Sequence, residues 1–98
     1  WGQYYCIYSV GDCYYSLGWY NDALDMYIEA ERMTEDRENV SDQIYKQGNC
    51  YYMCGDYTEA IEEYKKAADM SVNKEFSLNC HYWIGRSYEL QDRCGHRI

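Results

Sequence analysis

Small and aromatic residues recur along the first forty positions at helical spacing. One stripe with the spacing i, i+3, i+4, i+7 consists of Ile7, Val10, Gly11 and Tyr14. A second stripe consists of Ala23, Leu24, Tyr27, Ile28 and Ala30. Each stripe covers one face of a helix, and its small residues would let two helices approach closely. The pattern therefore predicts a helical hairpin.

Glycines mark the ends of the predicted helices. Gly18 follows the first stripe, and Gly55 holds the corresponding place further along the chain. Glycine tolerates the left-handed conformation that ends many helices, so both positions predict C-caps. The candidate N-caps are Asn21 in the first hairpin and Asp56 or Thr58 in the second.

These signals together predict an all-α chain of about five helices. Residues 92–96, which follow Gln91 and end with His96, are expected to form a turn or a frayed end. The predicted helices span residues 3–17, 21–36, 40–54, 57–71 and 75–91.

The chain repeats itself with a period of 37 residues. When residues 4–40 are placed over residues 41–77, thirteen positions are identical and no gap is needed. A further shift of the same length brings Tyr82 and Tyr88 into register. The expected organisation is a single domain with repeats at 4–40 and 41–77 and a partial repeat at 78–98, as a fragment of a longer protein.

The repeated residues resemble those of the tetratricopeptide repeat. The first unit reads Gly11-x2-Tyr14-x3-Gly18-x-Tyr20-x2-Ala23-x3-Tyr27-x2-Ala30. The second reads Gly48-x2-Tyr51-x3-Gly55-x-Tyr57-x2-Ala60-x3-Tyr64-x2-Ala67. The resemblance implies a right-handed α-solenoid of helix-turn-helix repeats that serves as a protein–protein interaction scaffold. Two departures are a period longer than the usual 34 residues and the absence of the usual proline, whose place Glu35 and Val72 take.

The resemblance also implies a binding groove lined by the first helix of each repeat. Tyrosines at one equivalent place would form an aromatic row along it, and tyrosine suits peptide recognition because it combines contact area with a hydroxyl. The alternative is that some of these rings pack between helices as ordinary core. The implied groove residues are Tyr5, Tyr8, Asp12, Tyr15, Tyr45, Asn49, Tyr52, Tyr82 and Arg86.

One known use of the family's groove is to hold a C-terminal carboxylate with lysine, asparagine and arginine. In this chain Tyr8 takes the lysine place and Asp12 the following asparagine place, whereas Asn49 matches. Binding of that kind is therefore not expected. Lys46 and Arg86 are predicted to be isolated cations that could meet an acidic group on a ligand.

The charge of the chain narrows the class of partner. Seventeen acidic residues against nine basic ones give a net charge of −8. Nucleic acids and anionic membrane surfaces would be repelled, because both bind mainly through lysine and arginine. A basic or neutral protein or peptide fits better. Membrane insertion is not expected, since no apolar run approaches about 20 residues.

The six cysteines allow two interpretations. Cys50 and Cys54 share a helix face and, with Cys80 and His81, could hold zinc. The repeat favours small packing residues instead, since Cys13 and Cys50 are equivalent, as are Cys6 and Cys80. We therefore expect reduced cysteines, no metal and a cytoplasmic setting, with His81 as a buried core residue.

Three functions are compatible with these observations. The first is a scaffold that binds a peptide or protein segment in a tyrosine-lined groove. The second is a structural spacer or self-association element of a larger assembly, acting through open repeat ends. The third is a thiol- or metal-dependent activity of Cys50, Cys54 and His81. No catalytic motif is recognisable and no cofactor is expected, so the first interpretation is preferred.

Overall fold

The computed structural model describes residues 2–95, with side chains as far as Arg93. Over residues 2–95 the chain forms five helices, contains no strand and is 87% helical. Each helix packs on the next one in sequence. The predicted all-α solenoid is thus confirmed. The helices are α1 (Gly2–Ser16), α2 (Tyr20–Arg32), α3 (Arg37–Cys54), α4 (Tyr57–Met70) and α5 (Lys74–Gly95).

The two turns inside the hairpins have the glycine caps that the sequence predicts. Gly18 and Gly55 have φ angles of 83° and 85°, in the left-handed region where other residues are strained. After α3, the N–H of Gly55 donates to the carbonyl of Tyr52 at 3.1 Å, and the N–H of Asp56 donates to that of Tyr51 at 2.9 Å. These bonds satisfy carbonyls at the end of the helix.

Two of the three candidate N-caps, Asn21 and Thr58, are wrong. Helix α2 begins at Tyr20, so Asn21 lies inside it, and Thr58 likewise lies inside α4. Asp56 is the N-cap residue of α4, as predicted, but among the described residues its side chain makes no capping hydrogen bond. Helix α3 has a side-chain cap, because Asp36 Oδ1 accepts from the N–H groups of Glu38 and Asn39 at 3.0 and 3.1 Å.

Three helix boundaries differ from the predictions by three residues or more. Helix α2 ends at Arg32, and α3 begins at Arg37, because Thr34 and Asp36 form a polar turn between them. Helix α5 continues to Gly95, so the turn predicted after Gln91 is wrong as far as Gly95. His96 lies outside the described residues.

Small residues bring the two helices of each hairpin into close contact. A Cβ at Gly11 would lie 2.8 Å from Cε1 of Tyr27, and one at Gly48 would lie 2.9 Å from the ring of Tyr64. Both tyrosine side chains are buried. The larger of two core clusters joins α3, α4 and α5, and its buried members are Ile44, Ala60, Ile61, Tyr64, Ala67, Ala68, Cys80 and Ile84.

Position in the stack decides which equivalent residues are buried. Cys50 and Cys80 are buried as predicted, but Cys6 and Cys13 are exposed, contrary to the packing role expected for them. Their face of α1 has no preceding helix against it among the described residues. His81 is exposed as well, so its prediction as a core residue is wrong. It lies on the side of α5 that no described helix covers.

Candidate functional site

Side chains of α1 contact α3 and side chains of α3 contact α5, so the three helices share one surface. A cavity of about 190 Å³ opens on it between α1 and α3. Four of the nine predicted groove residues line this cavity. A fifth, Tyr8, lies at its border, where its ring contacts the lining residue Lys46. The lining residues are Asp12, Tyr15, Tyr27, Asp42, Tyr45, Lys46 and Asn49.

Asp12 is the centre of the polar contacts in this cavity. The hydroxyl of the buried Tyr27 donates to Asp12 Oδ1 at 2.6 Å. Lys46 Nζ donates to Asp12 Oδ1 at 3.2 Å and to Oδ2 at 3.4 Å. Burial and the hydrogen bond to Asp12 raise the pKa of Tyr27 far above its ordinary value, so the phenol stays protonated and remains a donor. These bonds connect α1, α2 and α3 at one carboxylate.

Lys46 is not the isolated cation that the sequence suggests. Its ammonium group lies 4.4 Å from the centroid of the Tyr8 ring and 3.9 Å from Asp42, in addition to its bond with Asp12. Desolvation raises the pKa of Asp42, although Lys46 lowers it in part. Because two carboxylates surround one ammonium, the centre carries a formal negative charge. It favours a cationic or neutral group on a ligand.

Tyr45 and Asn49 occupy the α3 side of the cavity with partly structural roles. Asn49 Oδ1 accepts from the hydroxyl of Tyr64 at 2.6 Å. The ring of Tyr45 lies 5.7 Å from that of Tyr64 and 5.3 Å from that of Phe76. Its hydroxyl accepts from Asn79 Nδ2 at 2.7 Å, which joins α3 to α5. Tyr45 is half-buried, so it contributes both to the core and to the surface.

A second aromatic group lies between α3 and α5. The ring of Trp83 makes edge-on contacts with Tyr52 and with Tyr82, each at 5.2 Å between centroids. The Tyr52 side chain raises the pKa of Arg86 through a hydrogen bond. Arg86 also pairs with Glu89 at 3.3 Å, so it is not isolated either. Trp83 was not predicted, because its place lies outside the positions that the family resemblance implies.

Tyr5 lies apart from the Asp12 cavity. Its ring contacts that of Tyr8 at 5.2 Å, but it faces a separate cavity of about 690 Å³ between the start of α1 and the α2–α3 turn. The structure therefore divides the nine predicted residues into three groups. Asp12, Tyr15, Tyr45 and Asn49 line the Asp12 cavity with Tyr8 at its border. Tyr52 of α3 contacts α5, on which Tyr82 and Arg86 are exposed, and Tyr5 lies at the edge.

The buried thiols have little nucleophilic character. Burial raises the pKa of Cys50 to about 12 and that of Cys80 to about 11, so both are protonated at neutral pH. Cys54 is exposed, and His81 is exposed on the neighbouring helix. Across the described residues, no three histidine, cysteine or acidic side chains are grouped as metal ligands.

Comparison with known families bears on α3 and α4. Residues 42–71 match the family model of the tetratricopeptide repeat. This segment is a tetratricopeptide repeat. The assignment of the second unit, made from its glycines, tyrosines and alanines, is thereby confirmed. The period of 37 residues stays a prediction, as do the repeat boundaries.

The tetratricopeptide repeat is a non-enzymatic repeat type that indicates a scaffold for protein partners. No curated protein matches the chain. None of the helices described over residues 2–95 is both long and apolar enough to cross a bilayer.

Proposed function

We propose that the chain binds a peptide or protein segment on the surface formed by α1, α3 and α5. The observation that carries this proposal is the Asp12 cavity. Four residues that the repeat resemblance implies as groove residues lie there around Lys46. They are Asp12, Tyr15, Tyr45 and Asn49. Tyrosine is among the residues enriched in interaction hot spots, and the carboxylates beside these rings can form charge-assisted hydrogen bonds with a ligand.

The charge of the centre selects the class of ligand. Asp12 and Asp42 face one ammonium group, and the whole chain carries a net charge of −8. An arginine or lysine of the bound segment would add a second cation to these carboxylates, and its side chain would lie against Tyr8 or Tyr15. The proposed ligand is therefore a peptide segment with at least one basic residue.

The same proposal assigns the chain no catalytic role, no metal and no cofactor. Cys50 and Cys80 act in it as small packing residues, and a cytoplasmic setting suits that use of reduced thiols.

A selection experiment tests the proposal directly. The reduced chain is panned against a displayed library of random peptides of about 12 residues, and selected peptides are measured by fluorescence anisotropy. Tyr8→Ala and Asp12→Asn are each expected to weaken binding by about tenfold or more, because they remove a ring and a charge from the cavity. Selected peptides are expected to be enriched in arginine and lysine.

Trp19→Ala is the matched control, since Trp19 is an exposed aromatic residue in the α1–α2 turn. It should leave affinity within about twofold. Recovery of no peptide, or of peptides indifferent to Tyr8→Ala and Asp12→Asn, would overturn the proposal. Circular dichroism of each variant separates lost binding from lost fold.

A further inference from the structure

Lys46 places a cation of the chain itself inside the Asp12 cavity. Its ammonium group lies 4.4 Å from the centroid of the Tyr8 ring and 5.5 Å from that of the Tyr27 ring. The same group lies 3.2 Å from Asp12 and 3.9 Å from Asp42. A cation within about 6 Å of a ring centroid is attracted by the ring, and more strongly where water is excluded. The contacts that a basic residue of a ligand needs are therefore already made by Lys46.

The exposure of these charged side chains leaves a route for a ligand. The Lys46 side chain is 21% exposed, whereas those of Asp12 and Asp42 are 47% and 49% exposed. Both carboxylates can thus be reached from solvent.

The Tyr8 ring is less accessible than the carboxylates. It is partly buried, and the rings of Tyr4 and Tyr5 contact it at 5.1 and 5.2 Å between centroids. Two cations beside one ring would also repel each other. A ligand cation that lies against Tyr8 therefore has to take the place of the Lys46 ammonium group.

The three charged residues of this centre have uncharged counterparts between α3 and α5. Trp83 follows Lys46 by 37 residues, and its ring makes edge-on contacts with Tyr52 and Tyr82, each at 5.2 Å between centroids. Two helices therefore pack at this place around an indole ring, without an ammonium group. The same shift leads from both carboxylates to amides, from Asp12 to Asn49 and from Asp42 to Asn79.

We propose that Lys46 is an internal competitor, which holds the place that a basic side chain of the bound segment takes. This inference rests on the proposed function, because it concerns the same cavity and the same class of ligand. A site that is open in only a fraction of the molecules loses affinity in proportion to that fraction. If the ammonium group leaves its partners in about one molecule in ten, a ligand binds about ten times more weakly than it would to an open cavity.

The competition also makes the site selective. It lowers the affinity for every isolated cation, so a ligand needs further contacts on the surface of α1, α3 and α5 to bind well. The corresponding place at Trp83 offers neither a carboxylate nor an exchangeable cation. Recognition of a basic residue is therefore assigned to the contact of α1 with α3 alone.

The test uses N-acetyl-arginine amide, which carries the guanidinium group without the rest of a peptide. Its binding to the isotope-labelled, reduced chain is measured by NMR titration, which detects weak complexes. Lys46→Met removes the charge and keeps an unbranched side chain, so the dissociation constant should fall at least about fivefold. N-acetyl-citrulline amide, the uncharged analogue, should show no such gain.

Two further variants separate the competition from a general change in charge. Lys65→Met makes the same substitution on α4, at an exposed lysine whose ammonium group lies 5.6 Å from the centroid of the Tyr88 ring. It should leave the constant within about twofold, because salt screens distant charges. Asp12→Asn in the Lys46→Met background removes a carboxylate for which both cations compete, and it should abolish the gain. Far-UV circular dichroism checks folding, and Lys46→Gln takes the place of Lys46→Met if that variant does not fold.

Three results would overturn the internal competition. They are an affinity for the arginine amide that Lys46→Met leaves unchanged or lowers, a gain that Lys65→Met reproduces, and the absence of binding to every variant. The peptide selection described above tests the proposed function separately. Selected peptides that depend on Tyr8 and Asp12 but bind Lys46→Met no better would support the groove and reject the competition.

Discussion

The two hairpins α1–α2 and α3–α4 use the same packing device with different chemistry at one position. In both, a buried tyrosine covers a glycine of the partner helix, and its hydroxyl donates at 2.6 Å to the residue after that glycine. The acceptor is the carboxylate of Asp12 in the first hairpin and the amide of Asn49 in the second. The carboxylate of Asp12 attracts Lys46 of α3, whereas the amide of Asn49 carries no charge.

The comparison separates structure from function within the repeat. The glycine and the tyrosine set how closely two helices pack, so their replacement should affect folding in either hairpin. The acceptors, Asp12 on α1 and Asn49 on α3, lie at the surface. A change in their charge should therefore alter which ligands can bind. Position in the stack is a second difference, since α1 buries Gly11 whereas α3 buries six residues within Arg37–Cys54.

The largest expected effect is that of removing the buried rings. Tyr64→Ala should lower the free energy of unfolding by about 3–5 kcal/mol, the range for large aromatic residues in a core. Tyr27→Ala should cost less, because α1 packs on fewer described neighbours and can move into the space. Urea unfolding followed by circular dichroism measures both. Equal losses would show that the edge hairpin is as rigid as the central one.

The glycines should give effects of opposite sign. Gly48→Ala forces a Cβ to within 2.9 Å of the buried Tyr64 ring and should cost about 1–3 kcal/mol. Gly85→Ala meets nothing described and improves helix propensity, so it should add about 0.5–1 kcal/mol. Thermal unfolding at low protein concentration compares them. Destabilisation by Gly85→Ala would mean that another group already occupies the space beside Gly85.

Removal of the tyrosine hydroxyls tests the difference between the acceptors. Tyr27→Phe removes a hydrogen bond to a carboxylate and should cost about 1.5 kcal/mol, the low end for charged acceptors because Asp12 is partly exposed. Tyr64→Phe removes a bond to an amide and should cost about 1 kcal/mol. In an Asp12→Asn background, the loss from Tyr27→Phe should fall to that of Tyr64→Phe. If it does not, charge is not the source of the difference.

Patterns local to one hairpin predicted most of the fold. The stripes gave the helices, and Gly18 and Gly55 gave the turns, because a helix face and a left-handed cap depend on residues close in sequence. Tyr27 belongs to the second stripe for the same reason, and it is buried. The N-caps were less predictable, since Asp56 and Asp36 are chemically alike and only the backbone geometry decides which side chain bonds.

Four of the seven residues that line the Asp12 cavity were among the predicted groove residues, but their contacts were not predicted. Lys46 and Asp12 are 34 residues apart, and nothing local to either indicates that they meet. His81 shows the opposite problem, since its repeat position predicts burial that requires a following helix. Side-chain pairing between repeats depends on how helices stack, which a spacing rule describes only on average.

The smallest expected effect concerns the two carboxylates beside Lys46. Desolvation raises the pKa of Asp42 above 3.8, so the folded state holds its proton more tightly than the unfolded chain. The contribution of Asp42 to stability therefore falls as pH rises from 3.8 through the raised value, and its ionised form is unfavourable at neutral pH. Asp42→Asn should then be neutral or stabilising at pH 7, by less than about 1 kcal/mol, and lose this advantage as the pH approaches 4.

Asp12→Asn provides the matched comparison, because Asp12 accepts from both Tyr27 and Lys46 and its replacement should destabilise at pH 7. Urea unfolding of both variants at pH 7 and pH 4.5 measures the two signs. If Asp42→Asn instead loses stability at pH 7, its 3.9 Å pair with Lys46 outweighs desolvation. Both carboxylates would then help to hold Lys46, and a basic ligand would have to displace it from two partners rather than one.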